Sequence, residues 1–155
     1  MNAIELRGRV RAVGTIGPEG LLVAVGIAPQ PSRPRAVVEA TVETVGSDGD
    51  VRLLGACVRV AEHAVVSGPG GEALARGAIG AGARVWLGGS WSEASGFVAD
   101  EVRLRTPKEF EIAKVAGPAH AHDAVRGRVG IAGFTVVMNE RTLLDTGGDA
   151  EDGDD

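Results

Sequence analysis

Apolar and polar residues alternate with a period of two along most of this chain, the spacing of a strand that buries one face. In residues 4–13, Ile4, Leu6, Val10 and Ala12 fall on one side while Glu5, Arg7, Arg9 and Arg11 fall on the other. Gly17-Pro18-Glu19-Gly20 then supplies a turn, because proline fixes one φ and glycine accepts positive φ; residues 21–27 return as a nearly continuous apolar strand. A first hairpin is predicted. Beyond the extended Pro-rich loop 29–34, Val38, Ala40 and Val42 alternate with Glu39, Thr41 and Glu43, and residues 51–60 come back after Ser47-Asp48-Gly49-Asp50 as the second arm of another hairpin. Residues 72–79 have room for a short helix. A third hairpin is predicted from residues 84–91 and 97–104, where Asp100 is the single acid on the row of Val98, Val102 and Leu104 and marks a bulge or an edge. Residues 107–124, which carry Pro, Gly and His, read as a linker holding one short strand at 110–115.

The last segment repeats the first. Val125-Arg126-Gly127-Arg128-Val129 matches Leu6-Arg7-Gly8-Arg9-Val10, Gly133 stands at the same offset as Gly14, and residues 134–138 resemble 21–25 after a shorter turn. The expected organisation is a β-domain over 1–106, the linker 107–124, a partial second β-unit over 125–144 and a disordered acidic tail over 145–155.

Composition supports an all-β chain. Gly and Pro fill 31 of the 155 positions, too many breaks for a helical bundle, while a hydrophobic fraction of 44% is enough for a core. One cysteine, Cys57, excludes an internal disulfide framework. The last eleven residues hold six of the 21 acids and no base, which leaves 15 acids against 16 bases and a nearly neutral body within a chain of net charge −5. No apolar run approaches the ~18 residues of a membrane span, and no signal-peptide pattern opens the sequence. The expectation is a soluble cytoplasmic protein without a membrane partner, or a periplasmic or extracellular one if this is an excised mature domain.

Short strands with one small helix before the last hairpin suit a small OB-like antiparallel barrel, in which closure removes unpaired edges, with an extra C-terminal hairpin. The sequence also resembles a bacterial OB-like repeat domain of unknown function, met in envelope and secreted proteins. That family's pattern of V-x-G-x-V, G-x-x-V-x-V-x-G and A-x-x-V is carried here by Leu6-Arg7-Gly8-Arg9-Val10, by Gly82-Ala83-Arg84-Val85-Trp86-Leu87-Gly88-Gly89 and by Ala99-Asp100-Glu101-Val102. Val125 to Val129 restarts it. The resemblance covers residues 4–105 loosely and 125–145 in part; the stretch 36–60 is longer than the family unit, and the family's export signal is missing. It implies a fold and no activity.

Candidate chemistry is sparse. Arg7, Arg9 and Arg11 form a stripe that Arg126 and Arg128 repeat, and Trp86 shares the parity of Arg84; together they suggest a polyanion or single-stranded nucleic-acid surface. The competing account is a solvated outer face, with each Trp in a core or interface. His120-Ala121-His122-Asp123 resembles a metal clamp but lacks a fixed third or fourth ligand, and Cys57 is expected to be buried or half-buried and hence inert. No nucleophile elbow, zinc-protease motif or P-loop is present, so an enzyme, a metal site and a cofactor are not expected. The leading expectation is a non-catalytic binding or assembly module that self-associates through the strand edges of 125–144. The alternative is the single-strand or polyanion binder.

Overall fold

The computed structural model describes residues 8–31, 35–106, 112–123 and 125–144. In chain order these form β1 (Arg9–Ile16), β2 (Leu22–Pro29), β3 (Ala36–Thr41), β4 (Thr44–Val45), β5 (Val51–Leu53), β6 (Ala56–Ser67), β7 (Ala73–Leu74), a 3₁₀ turn (Arg76–Ala78), β8 (Arg84–Ser92), β9 (Gly96–Arg105), β10 (Ile112–Asp123), β11 (Arg128–Ile131), β12 (Phe134–Val137) and β13 (Leu143–Leu144). The fold is all-β. Where a short helix was expected over 72–79, the described residues hold only β7 and the 3₁₀ turn, because three Gly residues within and beside the segment favour turns over a helical run.

Hydrogen bonding closes into a ring, in which β1 pairs with β2, β2 with β12, β12 with β11, β11 with β10, and β10 again with β1. The sheet is mixed, not purely antiparallel: β2 and β12 run parallel, with Val136 opposite Leu22. The ring takes strands from either side of the expected boundary at residue 106: β1 and β2 before it, β10, β11 and β12 after it. Outward from β10 the same sheet continues through β3, β8, β9, β6, β5 and β4.

Three of the expected hairpins are present: β1 with β2, β8 with β9, and β11 with β12. The second is not. β3 pairs with β10 and β8, while β4, β5 and β6 form a separate meander. Five of the six residues of β3 are buried, the property of a central strand covered on both faces, so Glu39 is enclosed where the alternation suggested an exposed side.

The expected linker contains the strand that joins everything. Along β10, residues 112–118 pair with β1, 114–116 with β3, and 119–123 with β11. Pro118 stands where the partner changes from β3 to β11: its carbonyl accepts from Ala132 N at 3.0 Å, so its nitrogen, which has no proton to donate, faces that gap on the same edge. Gly117 fits there for a steric reason, because a Cβ would lie 2.8 Å from the Ala132 Cβ and 3.3 Å from the Ala36 Cβ.

The repeat seen in the sequence corresponds to two hairpins lying side by side, yet its glycines differ in role. Gly133 and Ala132 form the two-residue turn of the second hairpin with φ of 90° and 50°. Gly14 sits inside β1, opposite a bulge in β2 between the pairs Val13–Gly26 and Gly14–Ala24. The acid singled out in the third hairpin marks the same device. Gly88 pairs with Glu101 and Gly89 with Ala99, so Asp100 is the extra residue, and the core-facing row passes from Phe97 and Ala99 to Val102.

The main core lies inside the ring and on the same side of the sheet beyond it, with Phe134, Leu22, Leu53, Leu54, Leu87 and Ile131 fully enclosed. Among the described residues no helix is long and apolar enough to cross a membrane.

Candidate functional site

The face turned away from the main core gathers the charged side chains. Strand register sets the rows: Lys114 stands opposite Glu39, Glu39 opposite Trp86, and Trp86 opposite Arg103. One row over, Arg11 faces Ala116, followed by Val37, Gly88 and Glu101. Among the described residues of β1, of β10 up to Pro118, and of β3, β8 and β9, with Arg35 just before β3, this face carries Arg9, Arg11, Arg35, Arg84, Arg103, Arg105 and Lys114 against Glu39, Asp100 and Glu101. Seven bases stand against three acids there, within a chain that has 16 bases and 21 acids. The face is positive on an acidic protein.

Its centre is Trp86, which is 3% exposed and packs with Val37 and Ala116 in a small apolar cluster separate from the main core. Gly88 makes room for it, since a Cβ there would approach the Trp86 Cη2 to 2.6 Å and the Arg35 Nη2 to 2.8 Å. The Arg103 Cζ lies over the indole at 4.2 Å from the ring centroid, a cation–π contact. Beside it opens a depression of about 500 Å³, walled by Arg35, Asp100, Glu101 and Val65. Arg35 Nη1 donates to both Asp100 oxygens at 3.0 Å, and Arg103 Nε donates to Glu101 Oε2 at 2.7 Å. Deeper in the face, Arg84 Nε donates to Glu39 Oε2 at 3.1 Å, and Arg84 Nη2 reaches the same oxygen at 3.0 Å.

The residues expected from the sequence divide. Arg9, Arg11 and Trp86 come together on this face, but Arg9 is buried and lies across β10, where it donates to the Arg35 carbonyl, instead of standing in a solvated stripe. Trp86 is enclosed beneath Arg103, so its ring is no open stacking surface. Arg126 and Arg128 lie elsewhere: Arg128 pairs with Asp123, seven residues along β10 from the partner of Arg11, or roughly 23 Å at ~3.3 Å per residue. They contact Asp123 at 3.7 Å and Glu19 at 3.4 Å. Arg7 and the acidic tail lie outside the described residues. Arg84 shares this face with Trp86 as its parity suggested; Arg35, Arg103, Arg105 and Lys114 were not anticipated, although the odd-number parity of Arg103 and Arg105 after the Asp100 bulge signals them.

The remaining candidates have other roles. His120 is the extra residue of a bulge in β10 facing β11; its ring stacks on Trp91 with centroids 4.4 Å apart, and its Nε2 accepts from Gly133 N at 2.9 Å. Among the described residues no three His, Cys, Asp or Glu are grouped to hold a metal ion. Cys57 is exposed, correcting its expected burial: Val58 takes the core parity on β6, leaving Cys57 on the other side.

The His120 contact carries a pH dependence. Burial pushes its imidazole below the ordinary value of 6.5, with the Glu93 carboxylate pulling the other way. The neutral ring accepts the Gly133 proton; the protonated ring would set two donors against each other. The unfolded chain therefore takes up this proton first, and the contribution to stability is complete above about pH 6.5 and declines as pH falls toward the folded-state value. Urea midpoints measured from pH 7.5 to 5.5 should fall more for the wild type than for His120→Phe, which keeps the stack and cannot titrate; equal slopes would refute this account. No family model, curated protein or solved structure matches the chain.

Proposed function

We propose that this protein is a non-catalytic binding module whose ligand is a single-stranded nucleic acid laid across the positive outer face. The observation that carries the reading is the segregation of charge: among the described residues, seven bases against three acids on and beside five adjacent strands of a chain with net charge −5. Phosphates neutralised there would release counterions, so such a face is selective for a polyanion even on an acidic protein. The ring-like pairing curves the sheet, and curved OB-like sheets present grooves that track a single strand.

Assembly through strand edges draws less support. Residues 128–131 and 134–137 pair with β10, β2 and each other within the chain. Among the described residues, the strands paired on one side only along their whole length, β4, β7 and β13, have two residues each. Such short edges offer little template for a second copy.

Titration of labelled oligo-dT at 50 and 200 mM salt tests the reading. The wild type is expected to bind, with affinity falling as salt rises. Replacing Arg11 and Arg105 by alanine should flatten the log–log salt slope by roughly 1.4, at ~0.7 per lost phosphate contact on a single strand. Absence of binding at 50 mM, or an unchanged slope in the double variant, would refute it.

A further inference from the structure

We propose that the depression beside Trp86 receives an unpaired nucleobase, stacked on the guanidinium of Arg103, and that this contact separates base-bearing strands from bare polyanions. The inference rests on the single-strand reading above and names what that face would recognise.

The stacking surface is the cation, not the indole. Trp86 is 3% exposed, with its benzo edge filling the space above Gly88 and Arg103 over its ring. No base can reach that ring while Arg103 covers it. The side chain of Arg103 is 43% exposed, so the guanidinium is backed by Trp86 on one side and open on the other. Guanidinium planes stack on bases as they do on aromatic rings. A free arginine would lose rotamer freedom on binding; here the contact with the indole and the 2.7 Å bond from Nε to Glu101 fix its position beforehand.

The surrounding groups suit a base edge better than a phosphate. Asp100 and Glu101 line the same depression, and their carboxylates would repel a phosphate oxygen while accepting from exocyclic amines or ring N–H groups. Donors are present as well. Neither Nη of Arg103 has a hydrogen bond in the described structure, and Arg35 spends Nη1 on both Asp100 oxygens while its Nη2 has only Glu101, at 3.7 Å and beyond hydrogen-bond reach. Those donors fit the carbonyl oxygens of a base. The depression, at about 500 Å³, lies in the range of small-molecule sites and exceeds what one planar ring needs. The backbone of the strand would pass outside it, over Arg11 and Arg105.

The test compares two strands of equal charge, dT12 and a twelve-unit abasic strand, each titrated by fluorescence anisotropy at 50 mM salt against the full chain. Wild-type protein should bind dT12 about tenfold more tightly than the abasic strand. Arg103→Lys keeps the charge without the plane; it should bind the abasic strand like the wild type and lose most of the preference for dT12. In a Trp91→Phe background, Trp86 emission should change with dT12 and stay constant with the abasic strand. Equal affinity for the two strands, or an undiminished preference in Arg103→Lys, would overturn the stacking site while leaving the charged-surface reading intact. Failure of both strands to bind would overturn both.

Discussion

Replacement of Gly89 by alanine should lower the thermal midpoint by roughly 6–12 °C, the equivalent of about 3 kcal/mol in a chain of this size. A Cβ at Gly89 would lie 1.9 Å from the Val98 carbonyl oxygen and 2.7 Å from the Ala99 Cα, so the obstacle is backbone and cannot rotate away. The cause is the bulge: Asp100 is inserted opposite, and the two strands close against each other where β8 offers no side chain. The first hairpin contains the same arrangement. Gly14 stands opposite the Val25 bulge, where a Cβ would meet the Val23 oxygen at 1.9 Å and the Ala24 Cα at 2.8 Å. Gly14→Ala should therefore cost a similar amount. Gly80, with no described atom beyond its chain neighbours within 4 Å of its would-be Cβ, is the control, and Gly80→Ala should move stability by no more than ~0.5 kcal/mol. Calorimetry on the three variants checks this. A Gly89→Ala midpoint equal to that of Gly80→Ala would show that the strands can separate at little cost, and the register at Asp100 would have to be abandoned.

These bulges also explain what could be read from the chain and what could not. Three hairpins were legible because each buries one face and ends in Gly-containing turns, so alternation and turn chemistry agree. The Asp100 irregularity was legible as a misplaced acid. β3 was not assigned to its neighbours, since a strand buried on both sides pairs according to long-range register, which alternation does not encode. β10 was obscured by Gly117, Pro118 and two His, which look like a linker and instead serve the junction between β3 and β11.

The candidate site follows the same division. Parity alone placed Arg9 and Arg11 on one face and Trp86 with Arg84. Joining those two groups requires β10 and β3 to lie between β1 and β8, and that adjacency brings Arg35, Arg103 and Arg105 to the same surface. Arg126 and Arg128 were grouped with Arg7 and Arg9 by repetition, but a repeated hairpin placed on the other edge of β10 carries its arginines away from the first. Repetition in sequence preserved the hairpin and not the surface.

Disrupting the Glu39–Arg84 pair should also have a large effect. Their side chains are only 11% and 6% exposed, and Arg84 meets one Glu39 oxygen through both Nε and Nη2. Enclosed charges are tolerable only while each has its partner; removing one leaves the other desolvated and uncompensated. Glu39→Leu is thus expected to destabilise by about 3 kcal/mol, a fall of roughly 6–12 °C in midpoint. Arg84→Met should cost a comparable amount. The double variant Glu39→Leu/Arg84→Met should recover most of that loss, because two apolar side chains beside Val37 and Trp86 need no counterion. Lys114, opposite Glu39 in the register, offers a check on the mechanism. If Lys114 rather than Arg84 were the group Glu39 serves, the double variant would remain as unstable as Glu39→Leu alone. Chemical denaturation of the two single variants and the double decides it: an additive result, with no recovery, would remove the buried pair as an organising contact of this face.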